Sequence, residues 1–397
     1  MTASETEQRD EGIPVAVGWH RRVFDQIDWR IASGALVLVV LAVAFHLMSD
    51  GVFFTPRNLS LLLRQASIVA ILAGGVSVLM IMAEIDLSIG SAVYLTGVVA
   101  GEVVVTHGQP TWVGVVAAIG AGIALGAWNG LLVSRLAVPS FVVTLAGLLM
   151  FQGIGLMWTD AATLGPLPDD FVELSEAFLG KGASYVFLVA FAAVVTVVIL
   201  RGRRTEIRRH GEASTAQLGL RLAGVAILLG LALWITGGFL GLPYAVLWVI
   251  GVGAVLFVLM SQTTLGRNAY MIGANREAAY LSGINVRHQI FLGFILMGIL
   301  YGVCGVLLDA RLSASSPAAG QFLELNAIAA AVIGGTSLMG GVGTIPGAMV
   351  GALLLATIDN GMSLLNVNSF AQLVVKGLIL VFAVALDQFA NRRQRRL

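Results

Sequence analysis

The chain has 397 residues, 58% of them hydrophobic and 11% charged, with a mean hydropathy of +0.91. A soluble globule has no place for so much apolar side chain, so the composition excludes one and calls for a polytopic membrane protein. A formal net charge of +1 says little beside the placement of the charges, and the single cysteine, Cys304, excludes an intrachain disulfide or a thiol metal cluster.

Residues 1–30 are hydrophilic, with Arg21, Arg22 and Arg30 ahead of the first apolar run at 31–48. No short apolar core with a small-residue cleavage site precedes that run, so no cleaved signal peptide is expected and the first span enters from the cytoplasm. Further runs of spanning length follow at 59–83, 88–106, 112–133, 138–158, 184–200, 219–240, 243–260, 290–309, 325–339, 347–365 and 370–389. They make twelve predicted spans, of which 325–339 is the shortest and is either a full crossing or a re-entrant one. The fold class is therefore all-α, a single transmembrane domain over 31–389, and 390–397 is a basic tail.

Charge placement tests the count. With twelve crossings both termini are cytoplasmic, and so are Arg135, the block "RGRRTEIRRH" at 201–210 and the loop bearing Arg267, Arg276 and Arg287. The acidic loop 159–183, with Asp160, Asp169, Asp170, Glu173 and Glu176, falls outside. The 48 glycines suit helices that associate by close backbone approach; Gly122, Gly126 and Gly130, and again Gly343, Gly347 and Gly351, recur at four-residue spacing as helix-crossing signals.

Three polar interruptions carry the functional content. At 81–91, "IMAEIDLSIGS", Glu84, Asp86 and Ser88 stand between two apolar runs. Asp86 with Ser88 either caps the following helix or, if a broken helix opens there, faces a polar route. At 334–348, "GGTSLMGGVGTIPGA", six glycines and Pro346 argue against a continuous helix, and Thr336 and Ser337 are candidate lining groups. The two breaks lie in opposite halves of the chain, as a duplicated unit would place them. Gln65, Asn129, Gln152, Asn326, Asp359 and Asn360 are further intramembrane polar residues, either helix-to-helix cross-links or sugar ligands; Asn129 and Asn326 join the candidate path.

The third interruption is the loop 261–289, longer than neighbouring spans need. Within it "NREAAYLSG" predicts a short capped helix: Asn275 as cap, Arg276 to Ser282 as about two turns, and Gly283 as left-handed exit. Ala278, Ala279 and Leu281 beside Arg276 and Glu277 read as a low apolar patch for a partner's groove, or as an interfacial helix that only orders the loop.

The pattern Glu-Ala-Ala-x-x-x-Gly at 277–283 resembles the coupling loop of ABC-importer permeases. The blocks "NLSLLLRQASIVAILA", "AEIDLSIGS", "GAWNGLLV", "VPSFVVTLAG", "GRNAYMIGANREAAYLSGINV" and "LDARLSASSPAAGQFLELNAIAAAVIGGTSLMGGVGTIPGAMVGALLLATIDNGMSLL" are together similar, in order from 57 to 389, to bacterial sugar permeases of the ribose, galactose and xylose type. The likeness is strongest to the xylose branch, through Glu84, where the ribose-type pattern has glycine, and through an insert at 201–242 that adds a pair of spans to a ten-span core. The resemblance implies a non-catalytic subunit of an inner-membrane importer that acts as a dimer. It implies as partners an ABC ATP-binding subunit that holds ATP and magnesium, a periplasmic sugar-binding protein, and a monosaccharide substrate.

Absent motifs agree with that expectation. There is no G-x-x-x-x-G-K-[ST], since "LGKGAS" at 179–184 lacks the first glycine, and no H-E-x-x-H or G-x-S-x-G. The basic block 201–209 has no aromatic platform for nucleic acid. The competing readings are an ion-coupled transporter using Glu84 and Asp86 as coupling carboxylates, which leaves the long loop 261–289 without a purpose, and an intramembrane hydrolase, for which the catalytic pairs are missing.

Overall fold

Among the described residues twelve apolar helices stand where the sequence places twelve runs, nine of them long enough to cross a membrane and three shorter. The computed structural model describes residues 36–210 and 215–394; the N-terminal segment 1–30, the first five residues of the run 31–48 and the end of the basic tail, 395–397, lie outside the described residues. In chain order the helices are α1 (Leu36–Met48), α2 (Pro56–Ile81), α3 (Ile89–Gly101, continued by a π turn at Glu102–Thr106), α4 (Thr111–Ser134) and α5 (Ser140–Trp158). After the short α6 (Asp169–Glu176) come α7 (Lys181–His210), α8 (Thr215–Gly238) and α9 (Tyr244–Gln262). Two short helices, α10 (Thr264–Ala274) and α11 (Arg276–Leu281), precede α12 (Val286–Leu312), α13 (Leu323–Ile333), α14 (Ile345–Leu364) and α15 (Ser369–Gln394).

The centre consists of α2, α3, α12 and α14. In the best apolar window of α2, of α3 with its π turn, and of α12, 72% of residues are buried, against 17% for α7 and 6% for α8. Lipid supplies no hydrophobic drive between helices, so the centre is held by glycine contacts and polar cross-links. Gly122 meets the backbone of Gly298 and Gly302, Gly126 that of Phe294 and Gly298, and Gly130 the side chains of Phe291 and Phe294, so α4 and α12 cross with almost no side chain between them. Gly347 and Gly351 pack in the same way on Gly334 and Ala330. Asn58 and Asn360 exchange amide hydrogen bonds of 2.9 and 3.0 Å between α2 and α14.

Two crossings are interrupted. After α2 the chain runs without helix through 82–88 before α3 begins. The run predicted at 325–339 is not one span: α13 ends at Ile333, and 334–344 is turn. Eleven residues rise about 16 Å, roughly half the hydrocarbon thickness. The other half of that crossing is the irregular segment 313–322, which leaves α12, pairs Ser315 with Leu164 through hydrogen bonds of 2.9 and 2.8 Å, and brings Gly320 against Gly90 at the start of α3.

The predicted insert 201–242 corresponds to the far end of α7, all of α8 and the link to α9, so the added unit is the α7–α8 hairpin. It is fastened at the α6 end: Lys181 Nζ donates to the Gly237 carbonyl at 2.9 Å, and β1 (Phe178–Leu179) pairs antiparallel with β2 (Leu242–Pro243). Below that clasp Val186, Val194, Leu220, Ile227 and Leu228 are exposed, as lipid-facing side chains would be.

The α4–α12 crossing yields a direct test. Gly298→Leu forces a side chain into the Gly122 backbone, whereas Gly120→Leu meets open space. The first variant is expected to lose its monodisperse peak or about 3 kcal/mol of stability in detergent unfolding, and the second to behave as wild type.

Candidate functional site

The helix predicted at "NREAAYLSG" is present with both of its caps. Asn275 is extended, and its Oδ1 accepts from the Ala278 N–H at 3.0 Å. Gly283 takes φ +83°, which lets the Ile284 N–H close on the Ala279 carbonyl at 3.1 Å. The orientation of α11 differs from the predicted patch at one residue: Ala279 is buried, while Glu277, Ala278, Tyr280 and Leu281 are exposed. In a helix of under two turns the side that faces in is set by where its ends are anchored, and periodicity has too few residues to report it. The outward apolar group is thus Tyr280 and Leu281, 71% and 78% exposed, with Met271 of α10 also exposed.

Arg276 is the anchor. Its Nη2 donates to Glu84 Oε1 at 2.9 Å, joining α11 to the first break across 192 positions of sequence. Glu84, expected beside the path, is buried and engaged in this ion pair. Around it the second break is stitched to the first: the Gly341 N–H donates to the Ile81 carbonyl at 2.9 Å, and Gly340 packs on Ala83, which adopts φ +61°. Tyr270 of α10 donates to the Gly343 carbonyl at 2.7 Å; burial pushes its phenol up to about 12, so it remains a protonated donor at neutral pH.

Thr336 and Ser337 belong to this same stitched turn. Thr336 is buried with its Oγ1 3.2 Å from Ser77 Oγ of α2, and Ser337 Oγ accepts from the Met339 N–H at 3.2 Å. Thr336 holds the 334–344 turn on α2, Ser337 braces it from within, and Tyr270 ties it to α10.

Asp86, Ser88 and Asn129 meet in a separate, closed cluster with a residue the sequence reading missed, Tyr301 of α12. Asp86 Oδ1 accepts from the Ser88 N–H at 2.9 Å and the Ser88 hydroxyl at 2.7 Å, while Oδ2 accepts from the Tyr301 hydroxyl. Asn129 Nδ2 donates to Ser88 Oγ at 2.9 Å. All four side chains are buried. Asp86 therefore closes a local turn onto Ser88 and ties α3 to α12; Ser88 stands at the N-cap of α3 but makes no side-chain cap bond to it. Nothing local marks Tyr301, an aromatic inside an apolar run. Glu324 and Asp309, also buried, were legible by the rule that draws attention to Asp86, an acid inside an apolar stretch.

Among the predicted path residues Asn326 alone lies on a partly open face, half-buried on α13. Gln152 and Asp359 cross-link elements, Gln152 Nε2 donating to the Pro317 carbonyl at 3.2 Å and Lys376 Nζ pairing with Asp359 Oδ2 at 2.9 Å, while Gln65 is exposed on α2.

If the Asp86 cluster is a lock between the break and α12, Tyr301→Phe leaves a buried carboxylate oxygen without its donor. Detergent unfolding should then show a loss of about 1–3 kcal/mol, larger than for Ser91→Ala on α3, whose hydroxyl bonds only within its own helix turn. An unchanged stability would remove the lock.

The sequence matches the family described as branched-chain amino acid transport system / permease component over residues 58–384. It is 40% identical over 397 residues to the xylose transport system permease protein XylH of Escherichia coli K12, covering 99% of this chain and 100% of the relative. It is 32% identical over 375 residues to the ribose import permease protein RbsC of the same organism, covering 94% and 98%. The D-allose transport system permease protein AlsC, also from Escherichia coli K12, is 30% identical over 364 residues, covering 92% and 93%. No solved structure matches the chain. With that extent of agreement, on a fold of twelve apolar helices among the described residues, the chain belongs to the permease-component family of these transport systems and is a multi-pass membrane permease.

Proposed function

We propose that the chain is the membrane subunit of an ATP-driven importer that brings D-xylose into the cytoplasm across the bacterial inner membrane. Full-length identity of 40% to XylH supports xylose, and the geometry of α11 supports the drive. On this reading both termini are cytoplasmic, two copies form the membrane unit, and α11 of each copy seats in a groove of an ATP-binding subunit that carries ATP and magnesium. A periplasmic sugar-binding protein delivers the sugar to the α6 face, where Asp169, Asp170 and Glu173 are exposed. The permease itself performs no bond chemistry.

The observation that carries this reading is the division of α11 into two faces. Tyr280 and Leu281 project outward at the tip of a loop, a costly exposure unless a partner covers them. Arg276 on the same helix reaches inward to Glu84. A partner that closes on ATP therefore moves a helix whose inner end is an ion pair to the first break, and the bundle is drawn between inward and outward states. An ion-coupled transporter has no use for such a helix, and of the two carboxylates it would couple through, Glu84 is paired with Arg276 and Asp86 is bonded to Ser88 and Tyr301.

Two measurements test this. Leu281→Asp is expected to abolish co-purification with the ATP-binding subunit and xylose uptake while leaving the folded permease in the membrane. Arg276→Glu should lower uptake at least about tenfold with the ATPase still bound, and the exchange Arg276→Glu with Glu84→Arg should restore part of it, because a direct ion pair is symmetric to charge reversal. Uptake in proteoliposomes that persists without an ATPase and collapses with the proton gradient would overturn the reading.

A further inference from the structure

The segment 313–322 poses a problem that the rest of the fold does not. Its backbone is irregular, yet it lies within the depth of the bilayer, because it starts at the α6 end of α12 and finishes at Gly320 against Gly90, where the half-length α13 begins. Irregular backbone at that depth is tolerated only when it is covered by protein or faces water. The first break, 82–88, satisfies the rule by burial, with only Ala83 exposed. The segment 313–322, with the start of α13, does so on one side only. Ser315, Ala319, Gly320 and Glu324 are buried, whereas Ala318, Gln321, Phe322 and Leu325 are exposed and Ser316 and Asn326 half-exposed.

The exposed side is also the wrong composition for lipid. Within eleven residues it carries two amides, Gln321 and Asn326, and the Ser316 hydroxyl, alongside the exposed Ala318, Phe322 and Leu325. Phe322 is 49% exposed and is held at φ +61°, a left-handed conformation that is uncommon for a bulky residue. Its side chain is thus presented by a constrained turn at the junction between the irregular segment and α13. A monosaccharide needs such a surface: an apolar wall for its C–H face and a few amides for its hydroxyls.

We infer that the exposed strip Ser316–Asn326, with Phe322 as the apolar platform and Gln321 and Asn326 as hydrogen-bonding groups, is a sugar subsite on the water-filled conduit, and that the buried Asp86 cluster lies outside the route. The inference rests on the sugar-permease reading and places its substrate on this chain. Gln152 contributes as a positioning residue, since its bond to the Pro317 carbonyl fixes the strip against α5.

Thiol accessibility tests it in inside-out and right-side-out vesicles containing the permease and its ATP-binding subunit. The native Cys304 is fully buried and gives a low background. Gln321→Cys and Asn326→Cys should react with a charged, membrane-impermeant methanethiosulfonate at least about tenfold faster than Leu228→Cys on the exposed face of α8, because only a hydrated thiol ionises. D-xylose added with its binding protein and ATP should slow the two reactions, and Phe322→Ala should lower xylose uptake while retaining ATPase association. Failure of both variants to react in vesicles that still import xylose would overturn the subsite and leave the permease reading intact. Vesicles of the wild-type complex that import no sugar would instead overturn the permease reading. Disulfide cross-linking of two copies of the Gln321→Cys variant without aqueous reactivity would place the strip in an interface between copies and would also overturn the subsite.

Discussion

Backbone in a bilayer must have its N–H and C=O groups paired or hidden, and this single constraint organises the molecule. Among the described residues all twelve apolar elements are helices, but the backbone is irregular at 82–88, ahead of α3, and on either side of the half-length α13, and the centre of the fold is arranged around these two places. They lean on each other at Gly90 and Gly320, where neither position has room for a Cβ. Each is then sealed by its own contacts, the first through Asp86, Ser88, Asn129 and Tyr301, and the second through Leu164 and Ser315 on one side of α13 and Ile81 and Gly341 on the other.

What the sequence disclosed follows the range of the interactions concerned. Asn275 and Gly283 were legible because caps act within a few residues, and glycines at four-residue spacing were legible because they report one helix face. The run 325–339 stood out as the shortest, either a full crossing or a re-entrant one, but the end of its helix at Ile333 was not legible. "LNAIAAAVIGG" is as apolar as a full span, and hydropathy does not register whether the other half of a crossing is helix or loop. The inward turn of Ala279 was also hidden, because it depends on Arg276 finding Glu84. Likewise Asp86 could be singled out as an acid in an apolar stretch, but its partner Tyr301 is 215 positions away in an ordinary-looking apolar helix. The sequence thus marked where the chain departs from simple helix, and only the packing showed what each departure touches.

The α7–α8 hairpin illustrates the opposite case. It is strongly apolar, hence easy to read, and yet contributes little to the centre: its helices pack chiefly on each other and are clasped at one end by Lys181 and a two-residue ribbon. Hydropathy measures transfer into lipid, and a helix surrounded by lipid scores as well as one at the core.

The two interrupted crossings also place the docking helix and the exposed strip in one line of contact. Arg276 of α11 holds Glu84; residues 84–90 then run as backbone to Gly90; Gly90 abuts Gly320; and Gly320 is two residues from Phe322. No side chain intervenes at the glycine contact, so a shift of the first break is passed to the segment 313–322 without slack from rotamer changes. The Asp86 cluster bears on this line from the side, fixing 86–88 to α12 and α4. A sugar passing through that cluster would have to separate a buried carboxylate from every donor it has, whereas one passing over the strip meets amides that face outward. Transport driven from α11 is better served by a lock that keeps its shape while the surface beyond it moves.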